Sequence, residues 1–310
     1  MRHLRLATML AGFIALLAGS GAFATANAQA SWTASDCESC HDKALSPAFN
    51  KSAHAKASQS CASCHNNVAE HFKAQSAGDE KGPIPSVKKV KAADLNATCL
   101  SCHETANQAS YVSGTHARRN VSCASCHSVH APKSMAGQLK AKRDTELCFS
   151  CHKTERAKSL RPSRHPLREG KMGCTSCHNP HEGAKHKMIK GETVTELCYS
   201  CHTEKRGPFL FEHAPVREDC VSCHDAHGSN HNRMLTQKAP TLCWNCHLTG
   251  SGHFGSGDNY STEKGGVPMA PTGAPSGYPT VSSRFVGRSC MNCHINIHGS
   301  NSPSGAYFTR

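Results

Sequence analysis

Apolar residues form one long run at the N-terminus of this chain and are scattered elsewhere. The run covers positions 6–18, follows Arg2 and Arg5, and is followed by small residues with Ala-x-Ala sites that end at positions 28 and 30. A basic start, a short apolar run and small residues are typical of a secretory signal peptide. The run is shorter than the roughly 20 residues that a membrane-spanning helix requires. The sequence therefore predicts a signal peptide over residues 1–30, cleaved near residues 28–30.

The rest of the chain shows little regular alternation of apolar and polar positions. Its helical patterns are short, and they predict helices over 144–158, 195–205 and 68–75, with Asp144 and Thr195 as N-caps of the first two. No segment alternates for long enough to predict a useful strand. We expect an extended, mostly coil chain with short α-helices and little or no β-structure.

Such a chain lacks the material for an ordinary hydrophobic core. Aromatic residues make up only 5% of the chain, and the mean hydropathy is −0.50. A domain of this size normally buries a large apolar interior. Either the chain is disordered, or a group other than its side chains supplies the core.

The 20 cysteines favour the second alternative. All of them belong to one pattern, Cys-x-x-Cys-His, which occurs ten times with no cysteine left over. The cysteines are Cys37, Cys40, Cys61, Cys64, Cys99, Cys102, Cys123, Cys126, Cys148, Cys151, Cys174, Cys177, Cys198, Cys201, Cys220, Cys223, Cys243, Cys246, Cys290 and Cys293. The histidines that end the motifs are His41, His65, His103, His127, His152, His178, His202, His224, His247 and His294. Neither a disulfide scaffold nor a zinc site requires a histidine directly after every second cysteine.

This motif is the attachment signature of c-type haem. Its two thiols form thioethers with the two vinyl groups of one porphyrin, and the adjacent histidine ligates the iron from the proximal side. We therefore expect ten covalently attached c-type haems, and we expect the haem array to be the core of the fold.

The remaining histidines match the number of second axial ligands that ten irons require. The chain has 23 histidines, and most of those outside the motifs flank a motif in a recurring way, either several residues before it or three to four residues after its histidine. The predicted distal ligands are His54, His71, His116, His130, His165, His181, His213, His227, His253 and His298. His186 and His231 are surplus, and either of them remains an alternative to one of these ten. Ten haems with two histidine ligands each are expected to have low potentials.

The motifs follow one another with a regular rhythm. Most start 22 to 26 residues after the previous one, within a longer repeat of about 50 residues that holds two motifs. A unit of this size cannot fold alone, so each haem must pack against the next unit. We expect residues 31–310 to form a single elongated domain, with a Gly/Pro-rich loop over residues 250–288 that either covers the terminal haem or contacts a partner.

The basic charge acquires a different meaning once haem is included. The formal net charge is +13, and removal of the signal peptide with Arg2 and Arg5 lowers it to +11. Ten haems would add roughly twenty propionate charges, which bring the oxidised protein close to neutrality. The lysines and arginines are therefore counter-charges for propionates, and nucleic-acid binding is not expected.

The array resembles the MtrA/DmsE family of periplasmic decahaem cytochromes, which includes MtoA and PioA. The resemblance covers residues 37–310 and rests on the ten motifs, on the Cys-His-x-x-His variants that place His130, His181 and His227 three residues after a motif histidine, and on the long gap before the last motif. It implies a haem wire inside an outer-membrane porin-type β-barrel. The wire would exchange electrons with periplasmic redox proteins and an extracellular multihaem cytochrome.

Two other functions compete with this conduit. The first is a soluble periplasmic shuttle or a donor subunit for a reductase. The second is an oxidoreductase with a catalytic haem of its own. Catalysis requires an iron with an open coordination position, and the abundance of histidines argues against one. The sequence therefore favours an electron carrier over an enzyme, and it leaves the direction of electron flow open.

Overall fold

A computed structural model describes residues 34–44, 46–57, 61–79, 90–105, 108–181, 186–247 and 289–309. All ten motifs lie within these ranges. The predicted signal peptide, the predicted distal ligand His253 and the whole Gly/Pro-rich loop over 250–288 lie outside the described residues.

The described residues form short helices joined by turns, and they contain no strand longer than an isolated bridge. The α-helices are α1 Ala34–Glu38, α2 Pro47–Asn50, α3 Ala53–Lys56, α4 Val68–Ser76, α5 Ala92–Leu100, α6 Thr115–Arg118, α7 Cys123–Cys126, α8 Asp144–Phe149, α9 Lys153–Lys158, α10 Val194–Tyr199, α11 Ala214–Glu218 and α12 Thr241–Trp244. Single 3-10 turns are Asp42–Ala44, Cys61–Ser63, Tyr111–Ser113, Ala136–Gln138, Cys174–Ser176, His186–Met188, Thr203–Lys205, Cys220–Ser222, Asn232–Met234, Cys290–Asn292 and Gly305–Tyr307. The predicted coil-rich fold with short helices is confirmed.

The predicted helices exist, but two of them are interrupted at a motif histidine. The helix α8 ends at Phe149, and His152, with φ −84° and ψ 69°, lies outside the helical region directly before α9 begins. His202 leaves the helical region in the same way after α10. The helix predicted over 68–75 is present as α4, one residue longer at its C-terminal end.

Both predicted N-caps are wrong. Asp144 is the first helical residue of α8, and its carboxylate accepts hydrogen bonds from the backbone N–H and hydroxyl of Thr175 at 2.9 and 2.7 Å. Thr193 caps α10 instead of Thr195, because its hydroxyl accepts from the Glu196 N–H at 3.1 Å. The Asp144 side chain thus contacts the next motif instead of capping its own helix.

The protein part of the structure has almost no hydrophobic core of its own. Among the described residues, the buried apolar side chains are Val68, Tyr111 and Ile189, and most buried polar residues are serines and threonines. Apolar burial of this size cannot offset the conformational entropy of so long a chain. The fold therefore requires a non-protein group as its core.

Two clips join segments that are distant in sequence. Ser163 and Ser229 exchange backbone hydrogen bonds at 3.1 and 2.8 Å, and Phe211 and Ser300 do the same at 3.0 and 2.9 Å. In both clips a glycine precedes the buried serine and has a positive φ, 125° at Gly228. A Cβ on Gly228 would overlap the carbonyl oxygen of Lys158, so close approach of the two backbones requires glycine. The two His-Gly-Ser-Asn sequences, which begin at His227 after motif 8 and at His298 after motif 10, contain the glycine and serine of these clips.

Candidate haem centres

Each Cys-x-x-Cys-His motif forms one helical turn. In all ten motifs the backbone N–H of the histidine donates to the carbonyl of the first cysteine, at 2.9 to 3.1 Å. Residues at positions i, i+3 and i+4 of such a turn lie on one face. The two thiols and the imidazole of each motif therefore point to the same side, as attachment to a single porphyrin requires. All 20 cysteines are free of disulfides.

Nine motif histidines face one of the predicted distal histidines across a gap of constant width. The ring centroids of the two imidazoles lie 5.8 to 6.3 Å apart in every pair. The pairs are His41 with His71, His65 with His130, His103 with His54, His127 with His181, His152 with His116, His178 with His227, His202 with His165, His224 with His298, and His247 with His213.

This gap fits an iron with two axial imidazoles. An imidazole nitrogen lies about 2.0 Å from a bound first-row metal and the ring centroid roughly 1.1 Å farther, so two axial rings hold their centroids about 6.2 Å apart. A bare zinc ion would instead need four converging ligands. Within the described ranges, no group of three or more His, Cys, Asp or Glu side chains converges in this way. The donor set is thus suited to haem and not to a bare metal ion.

Hydrogen bonds fix the tautomer of several of these histidines. Nδ1 of His127, His178 and His224 lies 2.5, 2.9 and 2.8 Å from a backbone carbonyl oxygen, and Nδ1 of His294 lies 2.5 Å from the carbonyl of Tyr307. A carbonyl only accepts, so Nδ1 carries the hydrogen and Nε2 keeps a free lone pair. Such a bond orients the ring and increases its strength as a ligand.

A repeated loop supplies these carbonyls to motifs 4, 6 and 8. Ten residues after the motif histidine His127, or nine after His178 and His224, two consecutive residues adopt positive φ: Gly137 with Gln138, Lys187 with Met188, and Arg233 with Met234. The carbonyl of the first residue accepts from Nδ1 of the motif histidine. The carbonyl of the second accepts, at 2.8 Å, from the backbone N–H of the residue that follows the motif histidine. We call these the proximal loops. Left-handed φ costs non-glycine residues energy, and here it directs one carbonyl to the ligand imidazole and the next to the backbone directly after the motif.

Distal histidines are held in a comparable way. Nδ1 of His130 lies 2.7 Å from the carbonyl oxygen of Ala44, and Nδ1 of His165 lies 3.0 Å from that of Ala226. Burial lowers the pKa of His298 to about 4, and burial first and then neighbouring histidines lower the pKa of the distal His181 and of the motif histidine His65. A lowered pKa favours the neutral imidazole, which is the form that binds iron.

The pairs follow a rule that connects each two-motif unit to its neighbours. With motifs numbered 1–10 along the chain, motifs 2, 4, 6 and 8 face the histidine that follows the motif two places later. Motifs 3, 5, 7 and 9 face the histidine that precedes the motif one place earlier. The two histidines that flank motif 4, His116 and His130, therefore face motifs 5 and 2. Every such pair joins two different parts of the chain.

Cysteine contacts place the motifs in a single file. The first cysteines of motifs 1 and 2 are in hydrogen-bond contact, and the same holds for motifs 3 and 4, 5 and 6, 7 and 8, and 9 and 10. The second cysteine of an even motif lies near the next odd motif: burial and then the Cys99 and Cys102 thiols raise the pKa of Cys64. Equivalent neighbours are Cys126 and Cys151, Cys177 and Cys201, and Cys223 and Cys246. The motifs thus contact one another in the order of the sequence.

The described residues leave the tenth pair incomplete. His294 belongs to motif 10, and its predicted partner His253 lies outside them. The surplus histidine His231 takes no part in the nine pairs, and the side chain of His186 lies outside the described part. Sequence reasoning found the members of the pairs but not the proximal loops. The recurring Leu or Ile at positions 139, 189 and 235, which forms a bridge with the motif histidine, was the available signal.

Comparison with known proteins agrees with this chemistry. A family model described as a doubled CXXCH motif matches residues 165–207 and 213–251, and one described as cytochrome c-type protein NrfB-like matches residues 61–151. The multiheme cytochrome MtrA of Shewanella baltica is 37% identical over 289 residues, which cover 89% of this chain and 81% of that protein.

Two shorter relatives match part of the array. The cytochrome c-type protein NrfB of Haemophilus influenzae is 28% identical over 104 residues, 30% of this chain and 43% of that protein. NrfB of Escherichia coli O6:H1 is 32% identical over 80 residues, 25% of this chain and 42% of that protein. The motifs therefore carry covalently bound haem c for electron transfer, and the chain belongs to the MtrA family of multihaem c-type cytochromes.

Proposed function

We propose that this chain binds ten haems, one per motif, and conducts electrons along them in sequence order. The observation that carries the proposal is the set of nine facing histidine pairs on motifs that contact one another in single file. Each pair supplies the proximal and distal ligand of one iron, and the tenth iron is bound by His294 and His253. Adjacent motifs in contact bring porphyrin edges close, and no side chain has to move for an electron to pass.

The contribution of the protein is to hold these ligands. The proximal loops orient the imidazoles of motifs 4, 6 and 8, and the helical turn of each motif directs its two thiols and its histidine to one side. Haem supplies the one-electron chemistry of its iron. Because each iron has two histidine ligands, none is open to a substrate, and the protein is a carrier rather than an enzyme.

We further propose that the wire crosses the outer membrane inside a porin-type β-barrel, after export to the periplasm. Within the described ranges, no helix has both the length and the apolarity needed to cross a bilayer. A mostly coil backbone placed in hydrocarbon would leave its polar groups unsatisfied, so a crossing chain requires a protein sheath. The resemblance to MtrA supports this placement. Periplasmic redox proteins and an extracellular multihaem cytochrome would be its electron partners, in extracellular metal reduction or Fe(II) oxidation.

A second function is favoured by a specific match. Residues 61–151, which hold motifs 2 to 4 and both cysteines of motif 5, match the family model described as cytochrome c-type protein NrfB-like. A soluble periplasmic shuttle, or a donor subunit for a reductase, would need the same haem file but no barrel.

Extraction of outer membranes with mild detergent separates the two functions. A conduit copurifies with a β-barrel protein in a fixed ratio and resists high-salt washing of intact membranes. A soluble shuttle washes off with salt, and it never copurifies with a barrel. The second result would overturn the conduit and leave the haem file standing.

A further inference from the structure

Six of the ten motif histidines have a neighbour of one of two kinds at Nδ1. In motifs 4, 6, 8 and 10 the neighbour is a neutral backbone carbonyl, as described above. In motifs 5 and 7 it is a carboxylate: Nδ1 of His152 lies 3.9 Å from Oε2 of Glu155, and Nδ1 of His202 lies 3.8 Å from Oε1 of Glu204. Both acids stand in the short helical segments that begin directly after the motif.

We propose that the carboxylates of Glu155 and Glu204 lower the reduction potentials of haems 5 and 7. The proposal rests on the haem ligation proposed above. It gives the short helical segments after motifs 5 and 7 a function beyond spacing, because each would hold a negative charge beside a haem ligand.

The physical reason is the charge that one electron adds. Reduction takes Fe(III) to Fe(II), so the iron and its porphyrin ring change from a net charge of +1 to 0, and no bond forms or breaks. A carboxylate beside the proximal imidazole stabilises the oxidised form more than the reduced form. Hydrogen bonding or charge at the outer nitrogen is a recognised means of tuning a metal through its histidine ligand.

The size of the effect follows from distance and exposure. The carboxylate lies 3.9 Å from Nδ1 of His152, and the iron lies roughly 4 Å beyond that nitrogen, so the charge is about 8 Å from the iron. The Glu155 side chain is 38% exposed, which requires a dielectric constant near that of water. Coulomb's law then gives an energy close to the thermal energy, or about a threefold change in the Fe(II)/Fe(III) ratio.

The two acids differ in their other neighbours. Lys205 Nζ lies 4.0 Å from the same Glu204 oxygen that approaches His202, and Glu204 is 58% exposed. A cation at this distance cancels part of the carboxylate field. Glu155 is less exposed, so its effect on haem 5 should be the larger of the two.

The test is a potentiometric titration of the purified holoprotein carrying Glu155→Gln. Glu146→Gln is the matched control, because Glu146 lies in α8 of the same unit, is similarly exposed, and pairs with Arg143 at 3.3 Å instead of facing a histidine. We expect about one tenth of the absorbance amplitude to move to higher potential by about 28 mV, the threefold change converted at 59 mV per decade for one electron. Glu155→Asp, which keeps the charge, should restore part of the shift, and 1 M salt should reduce it.

The outcomes are separable from those of the proposed function. Ten low-spin haems with titrations that coincide for wild type, Glu155→Gln and Glu146→Gln would overturn the inference alone. Equal shifts in both variants would also overturn it, because the effect would not depend on the contact with His152. A haem count below ten, or a high-spin centre in the wild type, would overturn the proposed ligation itself.

Discussion

Replacing His116 with alanine tests the pairing of distal histidines with motifs. The His116 ring faces that of His152 with centroids 6.2 Å apart, so we expect the variant to remove one axial ligand from haem 5. A five-coordinate ferric haem is high spin, and the other nine keep both ligands. About one tenth of the haem should therefore change spin state.

The neighbouring haem should be unaffected. Nδ1 of His116 lies 3.4 Å from the carbonyl oxygen of Pro180, which precedes the distal histidine His181, and a contact of this length contributes little. The stacked pair of His127 and His181, with centroids 5.8 Å apart, does not involve His116. The loss of the axial ligand should therefore affect one haem only.

Low-temperature EPR and carbon monoxide titration provide the assay. The ferric variant should show one high-spin haem per protein, and the ferrous variant should bind one carbon monoxide at the position that His116 leaves. His231→Ala is the matched control, since His231 takes no part in the nine pairs, and it should show neither change. An unchanged spectrum, or high-spin signals from several haems, would refute the assigned pair.

Three further changes probe the fold around the array. Gly228→Ala should destabilise the protein by about 2 kcal/mol or more, because φ is 125° and the new Cβ would overlap the Lys158 carbonyl. The control Gly78→Ala also has a positive φ, but it has open space around the new Cβ and should cost less. Thermal melts followed by circular dichroism would measure both losses of stability, and equal losses would contradict the clip. Tyr111→Phe removes a buried hydroxyl that donates to a backbone carbonyl at 2.8 Å and should cost about 1 kcal/mol in the same melts, and no loss would contradict that contact. Burial raises the pKa of Asp225, but Lys158 at 2.8 Å and the His227 backbone N–H lower it by more, so the net pKa is below the usual value. The stabilisation by this carboxylate is therefore present above the pKa of the unfolded chain and is lost as pH falls through the pKa of the folded protein. Asp225→Asn should flatten this part of the curve of stability against pH.

The sequence predicted which residues form the haem sites better than it predicted which distal histidine faces which motif. The ten motifs and the flanking histidines could be recognised because the spacing is a covalent requirement of haem attachment. The pairing could not, because distal histidines face motifs other than the one beside them in the sequence. His130 follows the motif histidine His127 by three residues, yet it faces His65 of an earlier motif.

The N-caps of the helices could not be predicted from the sequence either. Asp144 has the residue type and position of an N-cap, yet its carboxylate bonds to Thr175 in the following motif. Thr195 is buried against the neighbouring unit, where its hydroxyl donates to the Glu218 carbonyl at 3.3 Å. In a fold with so small an apolar core, contacts between units override local preference.

The central claim is a file of ten haems, each with two histidine ligands. Low-temperature EPR of the purified wild-type protein, combined with a haem count from the pyridine haemochrome, tests it most directly. The account predicts ten haems per chain, all low spin. A stoichiometric high-spin signal would contradict it and would reveal an iron with an open position, as a catalytic haem requires.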